Sequence, residues 1–357
     1  MSVRDVIIIG AGPSGLSAAI AAKRRDLDYQ VLEQGVLVNS IFRFPPQMVF
    51  FTTPELLEIG GLPFVSPYDK PTRAEALKYY RRVVDAHDLQ IAYQEKVLSV
   101  EREAGGSSGP GGSGESRGSG KEERVFAVET ESRNGVRRTH HARYVVMAIG
   151  YFDRPVLLGI PGEDLPHVHH YQGEAHPHYR QRVVIVGGGN SAAESALEMF
   201  RAGAQVTIVH RAATLKSTIK YWVRPDIENR IKEGSIAARF SAHITEIRAN
   251  SVIIRSGGSD GSGGSSGPRG SGETEELSAD AVYLLTGYRA DADLLRHAGV
   301  TLDERDAPVH DPETFETNVP GLFVAGGAIA GIDTGTIFIE NGRFHGQKVI
   351  EVIARRG

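Results

Sequence analysis

Two glycine-rich hexapeptides, each directly after an apolar run, are the chemistry-bearing features of this chain. Gly10-Ala11-Gly12-Pro13-Ser14-Gly15 follows the run 6–9, and Gly187-Gly188-Gly189-Asn190-Ser191-Ala192 follows 183–186. Glycines so spaced between a strand and a helix make a tight turn and let backbone N–H groups approach a pyrophosphate. The two copies part at the position that reads the ribose. At the same distance past the first glycine stands Glu33 in one and His210 in the other, the latter followed by Arg211. A carboxylate accepts hydrogen bonds from two free ribose hydroxyls, whereas a basic pair suits a 2′-phosphate. The first site, with Gly10, Gly12, Pro13, Ser14, Gly15 and Glu33, reads as an FAD site. The second, with Gly187, Gly189, Asn190, Ser191, His210, Arg211 and Lys216, and with Lys220 as a further phosphate partner, reads as an NADPH site.

Composition narrows what surrounds these sites. A chain of 357 residues is long enough for two cores. Its net charge of −4, without any basic run, argues against nucleic acid as a partner. The apolar stretch 6–22 is broken by glycine, proline and serine and lacks a basic lead-in and a cleavage site, so it reads as strand and helix, not an export signal. No segment has the length of a membrane span, and a cytoplasmic protein is expected. There is no cysteine, which removes disulfides, thiolate-held metals and any dithiol relay within the chain.

The elements that position the two turns repeat. The segments 144–151 and 282–288 resemble each other, and each closes a unit opened by a fingerprint. The expected fold is α/β, with two dinucleotide-binding Rossmann-like domains, the NADPH domain inserted into the FAD domain. Residues 1–157 and 288–357 are assigned to the FAD domain and 158–287 to the NADPH domain. Each carries a small antiparallel β-meander: 96–101, 125–130 and 137–149, with a turn at Asn134-Gly135, in the first, and 243–247, 252–255 and 281–286 in the second. The Gly/Ser-rich stretches 104–120 and 256–272 read as flexible loops extending one turn of each meander.

With Ala148-Ile149-Gly150, Thr286-Gly287-Tyr288 and Pro320-Gly321-Leu322-Phe323-Val324-Ala325-Gly326 added, the chain resembles the low-molecular-weight thioredoxin reductases, without their Cys-x-x-Cys pair. Three stretches are similar to the bacillithiol-disulfide reductase family: Tyr171-Gln172-Gly173-Glu174-Ala175-His176-Pro177, residues 217–225, and Ile339-Glu340-Asn341-Gly342-Arg343-Phe344-His345-Gly346. That resemblance implies FAD and NADPH as cofactors and a homodimer or higher homo-oligomer. It adds Gln34, Asn39, Ser40, Phe42, Val97, Ala148, Gly150, Gly326 and Gly327 to the FAD site, and Thr286 and Gly287 to the NADPH site. The chain departs from the family at Ser14, where a cysteine often stands, and at Gly327, where the wider group has an acid.

The function expected is hydride transfer from NADPH to FAD and on to a low-molecular-weight disulfide, bacillithiol disulfide by resemblance. The alternative is a ferredoxin- or flavodoxin-NADP reductase, which needs no thiol. A flavin monooxygenase and a slow-turnover redox sensor rank below these. Candidate catalytic residues are Ser14, Glu340 and His345, the latter two as proton donors. No metal is expected: His167, His169, His170, His176 and His178 lack carboxylate or cysteine company, and their stretch reads as an interdomain hinge.

Overall fold

The computed structural model describes residues 2–103, 125–257 and 272–356. Most of both Gly/Ser stretches, 104–120 and 258–271, lies outside the described residues. The chain divides into two compact units. One holds residues 1–43, 52–154 and 288–357; the other holds 44–51 and 155–287. Against the division expected from sequence, 44–51 and 155–157 pack with the second unit.

The first unit is built on β1 (Val3–Ile9), β2 (Tyr29–Glu33), β3 (Ile91–Tyr93), β4 (Glu95–Glu103), β5 (Val125–Ser132) and β6 (Arg137–Met147). β3, β2, β1 and β6 pair in parallel, and β6, β5 and β4 continue as an antiparallel meander. The second unit contains β7 (Val168–His169), β8 (Arg182–Val186), β9 (Gln205–Val209), β10 (Ala237–Arg239), β11 (Ala242–Ile247), β12 (Ser251–Ser256), β13 (Thr274–Ser278) and β14 (Ala281–Leu284). A parallel sheet of order β10-β9-β8-β14-β7 stands beside a separate meander of order β11-β12-β13. β15 (Leu322–Val324) returns to the first sheet and pairs in parallel with β6.

The meander of the second unit corrects one sequence expectation. Its third strand is Thr274–Ser278, while Ala281–Leu284 joins the parallel sheet against β8 and β7. β13 is an edge strand that carries Glu275 and Glu276, so it has no apolar run to announce it. The histidine stretch is likewise no hinge. Val168 and His169 form a strand of the second sheet, the His169 ring packs 4.8 Å from that of Tyr283, and His178 Nε2 lies 2.7 Å from the Tyr283 hydroxyl.

The parallel strands are apolar on both faces because both are covered; in the second unit Ile185 faces the helix residues Ala192 and Ala196, while Val184 and Val186 face Ile244 and Val252 of the meander. Val6 to Ile8 are wholly buried in β1, as is Ile185 in β8. The helix Pro13–Lys23 is rich in small residues, with Ala18, Ala19 and Ala22 fully buried. It packs against the last helix, His345–Ala354, at very short range: a Cβ on Gly346 would lie 2.2 Å from Ser14 O and 2.6 Å from Ala18 N. Gly346→Ala must push these backbones apart and is expected to cost about 1–3 kcal/mol, read as a lowered denaturant midpoint. No helix among the described residues is long and apolar enough to cross a membrane.

Candidate functional site

In the first unit, β1 ends at a turn that only glycine fits. Gly10 has φ +106°, and a Cβ there would stand 2.4 Å from Ala148 O; one on Gly15 would stand 2.0 Å from Gly10 O. Gly12 differs: apart from its chain neighbours, nothing among the described residues lies within 4 Å of its Cβ position. It is the N-cap of the helix Pro13–Lys23, and no side chain caps that end. Uncapped N–H groups and the helix dipole there favour an anion. The cradle therefore fits a pyrophosphate that approaches from the Gly12 side.

Glu33, at the end of β2, is 5% exposed and accepts from Ala11 N–H and Gly35 N–H, both at 2.8 Å. Burial pushes its pKa up while those two backbone donors pull it down. One bond per carboxylate oxygen leaves each oxygen a lone pair for a ribose hydroxyl. Around this core the structure gathers Ala148, Gly150, Gly326 and Gly327. The Cβ position of Gly15 is 3.4 Å from Ala148 Cβ, that of Gly326 is 2.2 Å from Ser14 Oγ, and that of Gly327 is 3.5 Å from Gly150 Cα.

The remaining first-site residues are less uniform. Asn39 Nδ2 and Ser40 Oγ donate to Asp153, at 2.9 and 3.2 Å, and Gln34 bonds the same carboxylate. Phe42 is half exposed beneath the Arg73 guanidinium, 5.5 Å from its ring. The Val97 side chain belongs to the core with Ile7 and Val145. Asp153 was not found from sequence, since a lone acid in a loop carries no local signal.

The three candidate catalytic side chains are held as follows. Ser14 donates its hydroxyl to Gly342 O at 3.0 Å. Glu340 is half-buried on Ile339–Gly342, and its charge adds to the burial that raises Tyr151 to about 12. His345 Nδ1 accepts from Gly326 N–H at 3.2 Å, and its ring stacks 4.4 Å from Phe315. Burial, with Lys348 and His310 adding, lowers His345 from 6.5 to about 4. The folded ring is thus neutral at pH 7, with Nδ1 as the acceptor. Between those two values the unfolded chain binds a proton that the folded ring refuses, so stability is lost as pH falls from 6.5 toward 4. Melting temperatures across that window are expected to fall less in His345→Gln than in the natural protein; equal slopes would refute the assignment.

The second unit repeats the turn with different surroundings. Gly187 has φ +150°, and its Cβ would lie 2.5 Å from Leu285 O. Gly189 caps the helix Asn190–Arg201, again without a side-chain cap. The His210 ring lies under Gly188, within 2.3 Å of where a Cβ would stand. It is 6% exposed, its Nε2 has no hydrogen-bond partner among the described residues, and burial followed by Lys216 and Arg211 lowers its pKa. Arg211 and Lys216 are exposed, and Lys216 N–H donates to Gly188 O at 2.9 Å. Two exposed cations and an orphaned buried nitrogen beside an uncapped helix fit a phosphorylated dinucleotide.

Other residues of the second site serve the protein itself. Asn190 bridges Thr218 O and Lys220 N, fixing the loop that carries Lys216, and Ser191 is half-buried beside it. Lys220 departs from its expected phosphate role. It is 7% exposed, 2.5 Å from Glu194 Oε1, and donates to Val49 O at 3.2 Å. A lysine so committed does not reach outward, and nothing in its flanking sequence distinguishes it from Lys216. Thr286 Oγ1 donates to Val156 O, and Gly287 O accepts from Val156 N–H, so both hold the chain where it enters this unit.

A family model described as pyridine nucleotide-disulphide oxidoreductase matches residues 7–108 and 120–326. The bacilliredoxin reductase of Bacillus subtilis (strain 168) is 38% identical over 100% of this chain and 99% of its own length. A solved structure of the bacillithiol disulfide reductase of Bacillus cereus is similar at a TM-score of 0.87 and 35% identity, covering 100% of both chains. The ferredoxin–NADP reductase of Ignicoccus hospitalis is 24% identical over 91% of this chain and 90% of its own. The chain belongs to the pyridine nucleotide-disulphide oxidoreductases, flavin-dependent enzymes, and among them to the bacillithiol disulfide reductase family.

Proposed function

We propose that this enzyme moves an electron pair from NADPH by way of FAD to a low-molecular-weight disulfide, with bacillithiol disulfide as the substrate. The observation that carries this reading is the opposed chemistry of the two ribose positions, a buried Glu33 in one unit and an exposed Arg211 in the other. Bound FAD supplies a carrier that accepts a hydride and returns two electrons. The chain's own residues hold and orient. The N–H groups past Gly12 face the FAD pyrophosphate, and Glu33 accepts from the ribose. Arg211 and Lys216 pair with the NADPH 2′-phosphate. NADPH and one proton convert the disulfide to two thiols.

With no cysteine in the chain, the electron pair reaches its acceptor without a protein thiol. At the helix start, the hydroxyl of Ser14 is already donated to Gly342. This observation favours a second reading, a ferredoxin- or flavodoxin-NADP reductase, and relatives of that name support it. A cytoplasmic homodimer suits either reading.

The deciding experiment is anaerobic. The FAD-loaded enzyme is reduced with NADPH, mixed with bacillithiol disulfide, and followed by flavin absorbance. Return of the oxidised spectrum at a catalytic rate supports disulfide reduction. A flavin that stays reduced until ferredoxin or flavodoxin is added replaces it with the second reading.

A further inference from the structure

The turn after Glu33 contains a buried valine in a conformation valine avoids. Val38 is 1% exposed with φ 47° and ψ 51°, the left-handed region that a β-branched side chain strongly disfavours. Such a conformation persists only where its surroundings over-determine it. On one side, Val38 N–H donates to Ala11 O of the fingerprint at 3.1 Å. On the other side, the next two residues are both held by one carboxylate. Asn39 Nδ2 lies 2.9 Å from Asp153 Oδ1, and Ser40 Oγ lies 3.2 Å from Asp153 Oδ2.

The same carboxylate also accepts from the Gln34 side chain and stands 3.5 Å from Arg43 Nε. Asp153 therefore grips the turn at both ends and in the middle, with its side chain only 12% exposed. Asn39 is also turned inward, where its Oδ1 accepts from Val36 N–H at 3.4 Å and fills the space a Cβ on Gly35 would need. Gln34, Asn39 and Ser40 are three of the residues assigned to the flavin, yet each spends a polar group on Asp153.

We propose that Asp153 is a positioning residue for the cofactor: by holding Gln34, Asn39 and Ser40 it keeps the strained turn at Val38 in the shape that a bound FAD meets. The inference rests on the reading of the first fingerprint as an FAD site. A carboxylate serving stability alone would make the same bonds, so the test must separate shape from stability. Glycine adopts the left-handed conformation without strain. Replacing Val38 by glycine should thus restore the turn without restoring any Asp153 bond.

The experiment measures FAD affinity of deflavinated protein, visible circular dichroism of the bound flavin, and melting temperature of the apoprotein. Asp153→Ala is expected to raise the FAD Kd about tenfold or more, the scale of lost charge-assisted hydrogen bonds, and to change the flavin dichroism. Adding Val38→Gly is expected to recover most of the affinity and the natural dichroism, whatever happens to the melting temperature. Asp153→Asn keeps one acceptor oxygen, should show a smaller loss, and carries the same comparison with Val38→Gly if the alanine variant does not fold. Unchanged affinity and dichroism in both Asp153 variants would overturn the proposal. So would a loss that Val38→Gly leaves untouched. Natural apoprotein that takes up no FAD would sink the cofactor reading itself, before any variant is made.

Discussion

Gly15→Ala protein is expected to purify without its yellow cofactor and to bind added FAD at least about 100-fold more weakly, a change of some 3 kcal/mol. The new Cβ would lie 2.0 Å from Gly10 O, a backbone atom that cannot swing away. The helix start must move, and with it the N–H groups proposed to hold the pyrophosphate. The apoprotein should melt lower as well, because the same clash overpacks the interior. Gly12→Ala provides the contrast. Beyond its chain neighbours its Cβ meets no atom of the described residues within 4 Å, so the apoprotein should melt as before while FAD affinity falls. Absorbance at the flavin band, reconstitution titrations and apoprotein melting curves check both. A Gly12→Ala protein that binds FAD normally would mean that the pyrophosphate does not approach from that side.

The second large effect concerns the choice of nicotinamide cofactor. Arg211→Ala is expected to lower kcat/KM for NADPH by about 10- to 100-fold while leaving NADH almost untouched, as befits the loss of one charge-assisted contact to a phosphate. His210→Ala should behave differently. The His210 ring packs under Gly188 and its pKa is lowered, so it supports the turn that both dinucleotides share. Its loss should therefore weaken NADPH and NADH alike. Steady-state rates with ferricyanide as an artificial acceptor separate the two cases. Equal losses for both dinucleotides in Arg211→Ala would remove Arg211 from the 2′-phosphate.

The contrast between these residues shows how far a sequence can be read. The two fingerprints, Glu33 and the strands that precede them were visible because each is local: a short apolar run, glycines at fixed spacing, an acid at a set distance. The meander of the first unit was visible because its strands carry β-branched residues and Asn134-Gly135 marks a turn between two of them. β13 escaped because an edge strand facing water needs no apolar residues. Asp153 and Lys220 escaped for another reason. Their meaning lies in partners far along the chain, Asn39 and Ser40 for one, Val49 and Glu194 for the other. His210 was legible as a residue type but not as a buried one, so its charge was overrated.

The way β15 and the final helix complete the first unit has a consequence for synthesis. The second unit possesses all its residues once the ribosome has passed 287. The first unit then still lacks Leu322–Val324, which pairs beside β6 inside its sheet, and His345–Ala354, whose Gly346 closes on the fingerprint helix. The part of the protein that begins first on the ribosome is the part that finishes last. A chain released after 300 residues or so would hold every residue of the second unit and leave the sheet of the first without β15, the kind of exposed apolar surface that aggregates.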